Sequence, residues 1–210
     1  MPENSLIFTV RGQADRRCVL EDLNHAPVDL DILRDFTDFC SPHISRDSAQ
    51  EIINQMTFKL LTHSITAFSV PEILVPIARA GMGMWSVANR LFDGPASCFA
   101  IGKKIKGTSK VEVVLSSGMD VEPRSILILD TVIATGDTII AVAQALRERS
   151  PLARIEVASC YAAPRAIDTI LSSGMVEYLS VTLLAQDCRD GWLIPKINGD
   201  AGDKLYGVRL

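Results

Sequence analysis

Apolar positions along this chain fall into short blocks, separated by turns rich in glycine, proline and charge. Ile126 to Leu129 are four β-formers in a row, the pattern of a strand buried on both faces. They end in an acid, Asp130. A turn holding Thr135-Gly136-Asp137-Thr138 then leads into an alanine-rich apolar run with helical spacing. The spacing predicts a strand, a loop and a helix. Ile73 to Ile77 repeats the plan, with Pro76 better tolerated at the strand's end. The loop Arg79-Ala80-Gly81-Met82-Gly83 follows it, and then a helix from about Met84 to Phe92.

Blocks at Ser97 to Ile101, Val111 to Leu115, Ile155 to Tyr161 and Tyr178 to Leu184 read as further strands. Pro164 to Leu171 reads as a helix with proline in its first turn. Upstream, Ser45 is placed as an N-cap, with Asp47 in the first turn. Ala49, Ile52, Ile53, Met56, Leu60 and Leu61 then form one apolar face. Strands alternating with helices at short spacing predict an α/β fold. Its sheet is mainly parallel, flanked by helices, and binds ligands at the carboxyl ends of the strands.

Three stretches are less regular. Residues 1–44 form an N-terminal arm in which Leu6 to Val10 is the one candidate strand, suited either to an oligomer contact or to a loosely packed terminus. Gly102 to Lys110 carries four lysines and two glycines, as a solvated hairpin tip or as a mobile lid that brings positive charge over a polyanion. The tail from Gly191 holds a tryptophan, an apolar triplet and a Gly-Asp-Ala-Gly-Asp run. Its glycines let backbone approach a ligand, and the indole offers a flat wall. The acids lack the spacing and closing glutamate of an EF-hand loop.

The loop from Ala134 to Thr138 turns backbone N–H groups, two hydroxyls and a positive helix end toward one point, which suits a phosphate. The same pattern fits a βα turn in which Asp137 or Thr138 merely caps a helix. With one glycine and no Gly-Lys-Ser/Thr, the loop is neither a Walker A nor a dinucleotide fingerprint. Asp130 is placed to accept hydrogen bonds from sugar hydroxyls. The Arg79 loop can wrap an anion while the guanidinium neutralises it, or it can be a tight turn with an exposed arginine. Both loops would lie on one edge of the sheet.

Composition narrows the class. The 210 residues suit one domain, and a net charge of −4 gives no footprint for nucleic acid. Five scattered cysteines without a CxxC pair read as small buried hydrophobes in a reducing compartment. No charged-then-apolar leader and no run of membrane-spanning length are visible, so a cytoplasmic protein without a membrane partner is expected.

Several stretches carry a resemblance. They are ILRD (Ile32 to Asp35), ISRDSAQEI (Ile44 to Ile52), PIARAGMGM (Pro76 to Met84), LILDTVIATGDT (Leu127 to Thr138), AAP (Ala162 to Pro164) and GDAGDKLYG (Gly199 to Gly207). In order and spacing the chain resembles the type I phosphoribosyltransferases, and through the tail motif their uracil phosphoribosyltransferase branch. The resemblance implies transfer of ribose 5-phosphate from phosphoribosyl pyrophosphate (PRPP) to a nucleobase nitrogen, most readily uracil giving UMP, with release of pyrophosphate. It implies that Ala134, Thr135, Gly136, Asp137 and Thr138 hold the 5-phosphate and that Asp130 meets the ribose hydroxyls. Arg79, Ala80 and Gly81 would grip the pyrophosphate, with Mg²⁺ bound through that group and no metal held by the protein alone. Residues 187–210 would form a hood over the base, with Trp192, Ile194 and Gly199 as walls, Asp200 near the sugar or metal, and Ala201 beside it. Lys103 would approach the substrate from the lid. A homodimer or larger homo-oligomer is implied as well.

The chain also departs from that pattern. Thr131 stands where the family usually has proline, Asp137 where it has glycine, and Lys103-Lys104 where it has an arginine followed by acids. The hood loop from Trp192 to Asp200 is one residue longer. Because hydrogen-bonding sites discriminate sharply, a different acceptor base is an alternative. A PRPP-sensing regulator with this fold is another.

Overall fold

A computed structural model of the chain describes residues 8–11, 19–22, 30–64, 70–105, 108, 110–116, 123–184, 187–189, 192–194 and 199–207. In chain order these form β1 (Phe8–Arg11), β2 (Val19–Asp22), α1 (Leu30–Cys40), α2 (Arg46–Ser64), β3 (Ile73–Ala78), α3 (Met82–Leu91), β4 (Ala96–Ser97), β5 (Ala100–Lys104), β6 (Val111–Leu115), β7 (Ser125–Ile133), α4 (Asp137–Arg149), β8 (Arg154–Ala162), α5 (Pro164–Ser172), β9 (Tyr178–Leu184), β10 (Asp187–Arg189), β11 (Trp192–Ile194) and α6 (Ala201–Tyr206). The main sheet runs β2-β1-β9-β8-β7-β3-β5-β6, with β4 also on β3. Strands β9, β8, β7, β3 and β5 are parallel, and β1 and β6 add antiparallel partners at the two ends.

Burial explains the order. Ile126 to Leu129 are fully buried, as a strand covered on both faces must be. Helices α2 and α3 pack together over β3, β7, β8 and β9, while α4 and α5 pack over β5, β6 and β9. The apolar face of α2 is seated as its spacing predicts, with Ala49, Ile53, Met56, Leu60 and Leu61 buried and Ile52 half-buried. Ser45 caps this helix, its Oγ accepting from the Ser48 N–H at 3.1 Å.

Four differences from the sequence reading have physical causes. Pro76 lies inside β3, not at its end, and pairs with Leu129 of β7. Leu74 accepts from the Cys98 N–H on the β4 side, so the nitrogen of Pro76, two residues on, faces that side too. There the predicted strand from Ser97 is broken into β4 and β5, and the missing donor falls opposite the break. Second, β7 continues to Ile133, so Asp130 is not its last residue. Pairing with β3 ends at Leu129, while pairing with β8 runs on through Asp130 to Ile133. Asp130 therefore borders a gap where β3 has turned away. Third, β1 joins the sheet beside β9, and β2, whose acids obscured its pattern, pairs with β1. Fourth, the tail holds a β10–β11 hairpin and a short helix, α6, neither of which its composition suggested.

Candidate active site

Asp130, half-buried, lines a cavity of about 190 Å³ together with Lys104, Ala134, Thr135, Gly136 and Thr138. Burial pushes its carboxyl up to about 7 from 3.8, against the pull of the Thr131 and Val132 backbone groups, and the charge of Asp200 pushes it further up. That coupling brings the tail acid into the field of the strand acid. At the loop's end Gly136 has φ 85° and caps α4. A Cβ there would stand 3.0 Å from Ile170 Cγ1 and 3.2 Å from the Ala166 carbonyl, so glycine is needed for both conformation and space. The Gly136 carbonyl accepts from the Ile140 N–H, starting the helix whose positive end faces the cavity.

On the neighbouring strand the Arg79 loop is fastened as tightly. The Ala78–Arg79 peptide is cis. The Gly81 N–H donates to the Ile77 carbonyl at 2.9 Å, and the Gly83 N–H to the Ala80 carbonyl at 3.0 Å. A Cβ on Gly81 would lie 2.1 Å from the carbonyl oxygen of Leu129, inside β7. Thr131 Oγ1 donates to the Ala80 carbonyl at 2.7 Å. The residue after the strand acid is thus bonded to the arginine loop, which a proline could not do. The two turns form one unit.

The tail closes on that unit. Arg79 Nη2 donates to Asp203 Oδ1 at 2.6 Å and lies 3.6 Å from Asp200 Oδ1. Asp200 caps α6 by accepting from the Asp203 N–H at 3.1 Å. Ala201 is buried, and Leu205 packs where a Cβ on Gly83 would meet its Cδ1 at 2.9 Å. Lys204 anchors the other side of α6 by donating to the Ser41 carbonyl at 2.6 Å. Arg79 and both acids are more than a third exposed, so their pairing contributes less than about 1 kcal/mol. The guanidinium is held, yet free to exchange partners.

The predicted site residues Asp130, Arg79, Ala80, Gly81, Ala134, Thr135, Gly136, Asp137, Thr138, Asp200 and Ala201 thus lie on two joined turns and the helix that meets them. Lys103 sits opposite Glu112 in the β5–β6 ladder, and strand alternation turns its neighbour Lys104 to the loop after β7. Lys104 Nζ donates to Thr135 Oγ1 at 3.1 Å and to Asp137 Oδ2 at 3.3 Å. Gly199 is exposed with φ 98° just before α6. Trp192 and Ile194 have described backbone in β11, but their side chains, and residues 195–198 of the hood, lie outside the described residues. Lys104, Thr131 and Asp203 join the site without having been named for it from the sequence; the register of β5 and the contact of Gly102 on Thr138 single out Lys104. Among the described residues no group of three or more His, Cys, Asp or Glu could hold a metal ion, and no helix is long and apolar enough to cross a membrane.

Two anion-suited turns on adjacent parallel strands, with the tail helix α6 bonded to one of them, fit the plan of a type I phosphoribosyltransferase. The solved "Structure of AQ2163 protein from Aquifex aeolicus" aligns with TM-score 0.72 at 23% identity, covering 87% of this chain and 97% of that one. The adenine phosphoribosyl transferase from Trypanosoma brucei, solved with AMP, pyrophosphate and ribose-5-phosphate, shares the fold with TM-score 0.50 at 17% identity, over 67% of this chain and 69% of that one. The family model described as Uracil phosphoribosyltransferase matches residues 46–208, and the chain belongs to that family. The uracil phosphoribosyltransferase of Kineococcus radiotolerans is 32% identical over 173 residues, 78% of this chain and 79% of that protein.

Proposed function

We propose that this site transfers the ribose 5-phosphate of PRPP to uracil, giving UMP and pyrophosphate in a cytoplasmic salvage reaction. The observation that carries the reading is the Thr131–Ala80 bond, which fixes two anion-suited turns side by side as a doubly phosphorylated sugar requires. Breaking the anomeric carbon–oxygen bond builds positive charge on the ribose and negative charge on the leaving pyrophosphate. Catalysis of such a step is positioning and charge stabilisation, with no side-chain nucleophile. The α4 turn, with Thr135, Thr138 and Lys104, receives the 5-phosphate. Asp130, ionised, accepts from the ribose hydroxyls and carries negative charge beside the developing cation. Arg79 leaves Asp203 for the pyrophosphate and neutralises it as it departs. The hood, entered through Gly199 and held by Asp200, Ala201 and α6, covers the base and keeps water from the activated carbon.

The carboxylates of Asp130 and Asp200 fit Mg²⁺, a hard cation that takes one or two carboxylates and the oxygens of a substrate diphosphate. Bound there it supplies further neutralisation of the leaving group. A homodimer is part of the proposal, carried from the family.

The experiment is incubation with PRPP, Mg²⁺ and a panel of pyrimidine and purine bases, with pyrophosphate release followed by a coupled assay. Release with uracil above all other bases is the expected result. Turnover with a different base would reassign the acceptor, and PRPP uptake without turnover on any base would overturn the enzyme reading.

A further inference from the structure

Asp137 opens α4 at the point where a phosphate would sit, and its carboxylate already holds two of the donors that line the cavity. Thr135 Oγ1 donates to Asp137 Oδ2 at 2.7 Å and Lys104 Nζ donates to the same oxygen at 3.3 Å. Lys104 also donates to Thr135 Oγ1 at 3.1 Å, closing a three-membered set. A carboxylate in that position opposes an incoming anion, which makes it a liability in a phosphate loop unless a cation cancels it.

The fold delivers that cation deliberately. A Cβ on Gly102 would lie 2.6 Å from Thr138 Cγ2, so the β5 backbone rests directly on the first turn of α4. Two residues on, on the same face, Lys104 reaches the loop.

We propose that Lys104 and Asp137 are a compensated pair that sets the affinity of the sugar-phosphate half of the site. The lysine cancels the aspartate in the empty site. When the phosphate monoester of a pentose enters, Lys104 and the Thr135 hydroxyl turn from the carboxylate to the phosphate. This rests on the reading of residues 134–138 as the 5-phosphate loop. Lys104 is a binding residue whose worth depends on its partner, and Asp137 is a positioning residue that weakens the ligand it helps to orient.

The test is calorimetric titration of ribose 5-phosphate, PRPP with Mg²⁺, and pyrophosphate into the native protein, Lys104→Met, Asp137→Ala and the double variant. Lys104→Met should weaken ribose 5-phosphate about tenfold with Asp137 present and less than about threefold with alanine there. Asp137→Ala alone should tighten it. Pyrophosphate, which occupies the Arg79 turn only, should change by less than about twofold throughout. Equal losses from Lys104→Met in both backgrounds, or a parallel loss of pyrophosphate that marks general damage, would overturn the pair. Lys104→Arg, which keeps the charge, should retain more affinity than Lys104→Met, and equality of the two would also overturn it. If native protein takes up PRPP while the variants match it, the pair alone falls. No uptake by native protein would sink the 5-phosphate reading itself.

Discussion

Replacing Asp130 by asparagine keeps the shape of the side chain and removes its charge, so it separates two consequences of burying this acid. The first concerns stability. The folded protein holds the Asp130 proton up to about pH 7, while the unfolded chain gives it up near 3.8. Between those values the native state binds more protons, so raising the pH through the window destabilises it. The full gap corresponds to roughly 4 kcal/mol, a ceiling that water in the open cavity reduces to about 1–2 kcal/mol. For a chain of this size that is a fall in Tm of roughly 2–8 °C between pH 5 and pH 8.5 in native protein beyond any fall in Asp130→Asn. The second concerns function. Ribose hydroxyls bonding to a carboxylate gain about 1.5–3 kcal/mol each, against about 1 kcal/mol for a neutral acceptor, so the variant should lose roughly a hundredfold in kcat/KM for PRPP. PRPP affinity of native protein should also rise with pH through 7, and the variant should lack that rise. Scanning calorimetry at several pH values and steady-state kinetics read both. Parallel Tm-versus-pH curves would refute the buried carboxyl, and an unchanged kcat/KM would remove Asp130 from the sugar site.

Three further outcomes follow from the loop geometry. Gly81→Ala drives a Cβ into backbone atoms of β7 and β3, so it should cost roughly 3 kcal/mol or more in urea unfolding and abolish pyrophosphate binding; a native-like midpoint would contradict the packing. Thr131→Val removes the bond to Ala80 and should raise the pyrophosphate Kd about fivefold, about 1 kcal/mol, while Thr131→Ser stays near the native value. Equal behaviour of the two would show the bond to be idle. Arg79→Ala should raise the pyrophosphate Kd about tenfold or more but lower Tm by only a degree or two, since its pairing with the tail acids is solvent-exposed. A large Tm loss with normal pyrophosphate binding would make the arginine a strut instead.

Much of this molecule was legible because its signals are local. Residues Ile126 to Leu129 could only be a buried strand, and Val111 to Leu115 and Tyr178 to Leu184 appear with the bounds their patterns predict. The Ser45 cap and the face of α2 follow from helical period alone. What escaped depended on partners distant in sequence. Pro76 contradicts strand propensity, and only the break between β4 and β5 makes its missing donor harmless. Glu21 and Asp22 gave β2 no apolar alternation, and its strand state comes from pairing with β1. Lys103 and Lys104 are equal in composition; only the register of β5 against β6, with the contact of Gly102 on Thr138, decides which one meets the loop. The Gly-Asp-Ala-Gly-Asp run reads in sequence as backbone that can approach a ligand, and in the structure it is an aspartate-capped helix bonded to Arg79.

The fastening of Gly81 against the Leu129 carbonyl and of Thr131 against Ala80 gives the molecule a caliper. Its two jaws follow adjacent strands and are bonded to each other, so the gap between them is set by those fastenings and not by the movement of either turn alone. A sugar whose charged ends are spaced differently can engage one jaw or the other, and the frame will not stretch to meet it.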